Sequence, residues 1–186
     1  MSAILSIRRC VIILDYRDFF SDDDDYPNIH GTTFEGLTLE VLGKKLAYFF
    51  HRGQKDKTGK PYVEHLERVA ETVSRGVDAP DIVKDALYLV AYLHDIVEDT
   101  DCSIDTIENI FGRTIADAVY AITRREDETY KEYVRRCCEN PLAAHVKWYD
   151  VQDNLSPMRY WDDAPLDRYL WTLGYVYRVI GRRDVC

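Results

Sequence analysis

The stretch LHDIVEDT, residues 93–100, sets His94, Asp95, Glu98 and Asp99 close together directly after an apolar run. On a helix, residues four apart lie one above the other, so His94 stacks with Glu98 and Asp95 with Asp99. Like charges at that spacing repel unless a cation sits among them. Imidazole nitrogen and carboxylate oxygen suit hard or borderline divalent metals, so a metal ion is the expected cation. His94 and Asp95 are neighbours, roughly 100° apart around a helix. Both can grip one ion only where the helix ends or bends. Further ligands must then come from elsewhere, and His51, His65, His145, Asp150 and Asp153 are the candidates.

A second stretch, HVKWYDVQDNL, carries the same kind of chemistry. Asp150, Asn154 one turn later and Lys147 just under a turn earlier share one helix face, whereas Trp148, Val151 and Leu155 form another. An acid and an amide aligned on an otherwise apolar helix suit metal ligation plus hydrogen bonding to a substrate. His51 ends an apolar run just before RGQKDKTGKP, a loop in which Arg52, Lys55, Lys57 and Lys60 are opposed only by Asp56. Phosphoryl chemistry needs such positive charge around its phosphates, with Lys147 adding one more cation near Asp150.

These residues must be positioned by helices. TLEVLGKKLAYFFH has apolar residues near a 3.6 period. PYVEHLERVAETVSRG starts after Pro61 and stops at Gly76. APDIVKDALYLVAYLHDIVED is apolar on most faces between Ala86 and Leu93, and is expected to be the longest helix and the central one. SIDTIENIFG, TIADAVYAITRR, TYKEYVRRCCEN, PLAAHVKWYDVQDNL and APLDRYLWTLGYVYRVIGRR complete the set. The expected fold is all-α, a bundle of about seven to eight helices over residues 37–186. Residues 1–36 read as a short N-terminal extension, in which CVIILDY suits a strand or packed arm and SDDDDYPN an acidic linker. Trp161, Tyr169, Trp171, Tyr175 and Tyr177 stand at helical spacing and read as core or partner-facing residues rather than a platform for a base.

The 186 residues suit one domain. A net charge of −9 argues against nucleic-acid binding, while leaving room for a small phosphorylated ligand at a local basic rim. The five cysteines show no framework spacing, and no apolar run reaches membrane-spanning length. The reading is therefore a cytoplasmic chain with reduced thiols, no membrane and no nucleic-acid partner.

HRGQKDKTGKPYVEH, LHDIVEDT and VKWYDVQDNL, in that order, resemble the three signatures of RelA/SpoT-type alarmone hydrolases, which are HD-domain phosphohydrolases. The length is similar to that of the free-standing small alarmone hydrolases. The resemblance implies one manganese ion held by His51, His94, Asp95 and Asp150. It places Glu98 and Asp99 beside the attacking water as catalytic residues. Asn154 contacts the nucleotide or orders the site, and the local positive charge makes Arg52, Lys55, Lys57 and Lys147 the expected substrate-binding cations. His65 and His145 stay outside the ligand set as structural histidines. The implied reaction is hydrolysis of the 3′-pyrophosphate of (p)ppGpp to GDP or GTP and pyrophosphate.

The chain departs from that pattern at Asp56, where the family usually has arginine, and at Leu66, where proline usually follows the histidine. Asp56 keeps other substrates in view: an adenine alarmone, NADPH or another nucleotide. A third reading is an antitoxin that neutralises a cognate alarmone-synthetase-type toxin by binding.

Overall fold

The structure, a computed structural model, describes residues 38–159 and 165–183. The expected N-terminal extension lies outside the described residues. Within them the chain is helical: α1 (Leu39–Phe50), α2 (Val63–Gly76), α3 (Asp81–Leu93), α4 (Ile96–Asp99), α5 (Ile104–Phe111), α6 (Arg113–Ile122), α7 (Tyr130–Cys137), α8 (Pro141–Asn154) and α9 (Leu166–Arg183). Extended pairing among the described residues is limited to an isolated antiparallel bridge between Lys55 and Pro61. The α4 segment is a single turn, so eight longer helices and one turn make up the bundle.

Local chemistry sets the boundaries. Thr38, Ser103 and Asn140 each accept a backbone N–H of the first turn they precede, satisfying a donor the helix leaves open. Thr129 and Glu132 form a reciprocal capping box at the start of α7. Pro141 occupies the first turn of α8, where its missing N–H costs nothing. Gly112, at φ 81°, makes the corner between α5 and α6.

The expected helix over residues 79–99 is not continuous, and it is not the longest. It breaks at His94 and Asp95, leaving a 13-residue α3 and the short α4, whereas α9 has 18 residues. His94 Nδ1 lies 2.7 Å from the Ala91 carbonyl, so the ring donates to a group that the last turn of α3 leaves free. The expectation of a central α3 holds: Leu87, Leu89, Val90, Ala91, Tyr92 and Leu93 are all buried. It packs against α1, α2, α6 and α8. Each fully buried leucine or isoleucine contributes about 1.5–3 kcal/mol. At Gly43 of α1 a Cβ would stand 2.1 Å from Leu89 Cδ1, so that close approach of α1 to α3 needs glycine.

Cys102, Cys137 and Cys138 are buried and, among the described residues, not in disulfides. Burial pushes the Cys102 thiol up to about 12, which keeps it an inert thiol.

Candidate active site and metal centre

Three imidazoles and two carboxylates converge where α1, α2, α3 and α8 meet. His51 caps the end of α1, His65 lies in the first turns of α2, His94 and Asp95 form the break after α3, and Asp150 lies in α8. His51, His65 and His94 are each 1% exposed and Asp150 4%. Each ring has its Nδ1 engaged. His51 Nδ1 is 2.8 Å from Gln54 Oε1, His65 Nδ1 is 2.7 Å from Asp153 Oδ2, and His94 Nδ1 faces the Ala91 carbonyl. With each Nδ1 engaged, Nε2 is the nitrogen left to ligate a metal.

Those Nε2 atoms face the carboxylates. His94 Nε2 is 2.9 Å from Asp95 Oδ2 and 3.8 Å from Asp150 Oδ1. His65 Nε2 is 3.3 Å from Asp150 Oδ1 and 3.8 Å from Asp95 Oδ2. Despite these distances, the Nε2 atoms of His51 and His94 are buried without a hydrogen-bond partner. A buried polar atom left unpaired is costly, so these two orphans fit ligands of a cation. Among the described residues, the ligand atoms of His65, His94 and Asp150 lie within 4.8 Å of one another. His51 is not in that tightest cluster, but the charges of Asp95, His94 and His65 reach its ring.

The expected ligands thus fall in one neighbourhood, and His65, read from sequence as structural, stands among them. Its place there was hidden because its orientation depends on Asp153, held in turn by Arg68 at 2.7 and 3.0 Å from 85 positions away. Gln54 was also missed. It binds His51 through Oε1 and donates from Nε2 to the Asp99 carbonyl at 2.9 Å, tying the basic loop to α4. Tyr62 donates to Asp95 and stacks on His51 at 5.1 Å.

Charge and burial compete here. Burial holds the His51 ring below its ordinary value, despite the Gln54 bond and the Asp95 charge. Burial also opposes a charged His94, but Asp95 and Asp150 overcome it and raise the ring to about 10. Asp150 resists burial through Lys147 and the His65 and His94 rings, which hold it well below the carboxylate range. Asp99 goes the other way: burial, then the charges of Asp95 and Glu98, push it up to about 6. Glu98 is raised by burial, against the Arg124 backbone N–H that it accepts at 2.9 Å.

A cavity of about 620 Å³ opens above this floor. Asp95, Asp150, Glu98 and Asp99 line it, with Lys55 and Lys57 of the loop. Arg52 is exposed and is not among its lining residues. Lys147 and Asn154 line it too, but both are engaged with Asp150, Lys147 Nζ at 2.6 Å from Oδ2 and Asn154 Nδ2 at 2.6 Å from Oδ1. Asp56, Tyr62, Tyr130, Tyr133, Pro165, Tyr169, Arg124, Arg159 and Arg168 complete the lining. Tyr169 is buried, as the sequence spacing suggested, and it also lines the cavity. No helix among the described residues is long and apolar enough to cross a membrane.

Residues 44–138 match the family model of the HD domain. The chain is 33% identical over 148 residues to the guanosine-3′,5′-bis(diphosphate) 3′-pyrophosphohydrolase MESH1 of Drosophila melanogaster, covering 73% of this chain and 81% of that protein. It is 31% identical over 117 residues to a guanosine-3′,5′-bis(diphosphate) 3′-pyrophosphohydrolase of Aquifex aeolicus, covering 58% of this chain and 16% of that protein. The chain thus spans about a sixth of the length of that longer relative. Its fold matches a solved structure of a metazoan orthologue of SpoT that hydrolyses ppGpp, with a TM-score of 0.54, 23% identity, and coverage of 85% of this chain and 99% of that one. The family match spans half the sequence and includes the His94–Asp95 break itself, and it agrees with the fold and with a relative matched over most of its length: the chain belongs to the HD-domain family, with homology to the pyrophosphohydrolase MESH1.

Proposed function

We propose that the chain is a manganese-dependent hydrolase that removes the 3′-pyrophosphate of guanosine tetra- or pentaphosphate in the cytoplasm. The observation that carries this reading is the pair of buried, unpartnered Nε2 atoms of His51 and His94 beside Asp95 and Asp150. They would hold one divalent ion with the two carboxylates, and His65 stands close enough to share the role. A bound ion supplies Lewis acidity toward a phosphoryl oxygen and acidifies water.

The chain's own residues do the rest. Asp99, poised near neutrality, accepts a proton from the attacking water. Glu98, fixed by the Arg124 N–H, orients that water. Water adds to phosphorus, the bond to the ribose 3′ oxygen breaks, and a proton ends on that oxygen. Lys147 and Asn154 hold Asp150 in place. Lys55 and Lys57 offer positive charge to the phosphates at the cavity mouth. The names of the relatives support the substrate.

The test is a panel of nucleotides incubated with the purified chain and manganese. Pyrophosphate release from ppGpp, abolished by a chelator and by Asp95→Asn, is the expected result. No release from any 3′-pyrophosphorylated nucleotide would refute the reading. If the chain neutralises a cognate toxin through hydrolysis, that neutralisation is lost in Asp95→Asn; neutralisation that survives Asp95→Asn would make binding the activity.

A further inference from the structure

Arg159 is an unusual neighbour for this site. It sits in the turn after α8, its N–H donating to the Ser156 carbonyl at 3.0 Å, and it lines the cavity. Only 7% of the residue is exposed, yet among the described residues its Nη1 is buried with no hydrogen-bond partner. Its guanidinium lies 5.4 Å from the ring centroid of Tyr62, whose hydroxyl binds Asp95. A desolvated guanidinium with an unpaired nitrogen, one ring away from the reacting centre, fits a group that waits for a ligand acceptor.

Asp56 lines the same cavity. Its Oδ1 accepts three bonds within its own loop, from Thr58 N at 2.8 Å, Thr58 Oγ1 at 2.7 Å and Lys60 N at 3.1 Å. Asp56 N donates to the Lys60 carbonyl at 2.8 Å, and Gly59, at φ 84°, makes the return. The loop is therefore firmly folded, and none of those side-chain bonds uses Oδ2. Burial opposes the Asp56 charge, but the loop bonds and the nearby Arg159 charge hold its carboxyl below the ordinary value.

We propose that Asp56 and Arg159 form a base-reading pair that selects guanine over adenine. The carboxylate beside Arg159 repels a phosphate there but suits a neutral ring with both donors and acceptors. Guanine offers O6 and N7 to the guanidinium fork, and N1–H and the N2 amine to Asp56 Oδ2. Adenine keeps N7 for the guanidinium but turns an amine toward it where guanine has O6, and it turns a lone pair toward the carboxylate, so the first contact is halved and the second becomes repulsive. The pairing rests on the nucleotide-hydrolase reading above and names the residues that set its base preference.

The experiment compares the full chain with Asp56→Asn and Arg159→Lys. It measures kcat/KM with manganese for guanosine and adenosine 3′,5′-bis(diphosphate), and binding of GDP and ADP by calorimetry. The unaltered chain should favour guanine by about tenfold or more. In Asp56→Asn the amide oxygen can keep the loop bonds while the amine replaces Oδ2, so preference should collapse or turn toward adenine. Arg159→Lys should lose guanine preference mainly through KM, and it decides the matter if Asp56→Asn melts early. An unchanged guanine-to-adenine ratio in both variants would overturn the proposal. Should the chain hydrolyse neither nucleotide, the functional reading fails, while the GDP-to-ADP binding ratio still decides whether this pair reads the base.

Discussion

Asp99 and His94 carry opposite shifts within one short segment, and each has a measurable consequence. Asp99 is held up to about 6 by burial and its acidic neighbours. Its deprotonated form is the one that accepts a proton, so kcat should rise with pH along an acid limb at about 6, or lower where a bound cation stands beside it. Asp99→Asn should lower kcat by about 10²–10⁴ with KM little changed, as read by pyrophosphate release. His94, raised to about 10, keeps its proton at neutral pH in the ion-free chain. A metal must displace that proton to reach Nε2. Calorimetry in buffers of different ionisation enthalpy should therefore show about one proton released per ion bound near pH 7.

The elements hold these groups through a few close contacts. Gly43 lets α1 lie against Leu89 of α3, and α1 ends in His51. Gly43→Val should force the helices apart, cost about 1–3 kcal/mol in a denaturant melt, and weaken metal affinity by moving His51. Most of this framework was legible in sequence. Pro141, Gly76 and Gly112 mark helix ends through their own backbone constraints, and the apolar run from Ala86 to Leu93 shows a helix buried on most faces. The break after Leu93 was legible only as a condition, since two adjacent ligands need a helix end or bend; no proline or glycine marks it, and the His94 ring binds the Ala91 carbonyl there. Nor could spacing show Arg68, Asp153 and His65 meeting, or Tyr169 and Arg159 turning to the cavity, since those contacts exist only once α2, α8 and α9 pack.

The chain carries a net charge of −9, yet Lys55, Lys57, Lys147, Arg124, Arg159 and Arg168 all line the cavity. The carboxylates beneath them are crowded enough to need a cation. Binding an ion to the folded chain alone should raise its stability by mass action. The melting temperature should climb with added manganese and fall with chelator, and Asp150→Asn should abolish the difference while removing activity. The most direct check of the central claim is anomalous diffraction at the manganese edge from crystals of the chain soaked in the metal. One strong peak per chain is predicted within ligand distance of His94 Nε2, Asp95 and Asp150, with the His51 ring turned toward it. A saturated soak with no peak there, or with Lys147 and His94 alone neutralising the two aspartates, would contradict the account.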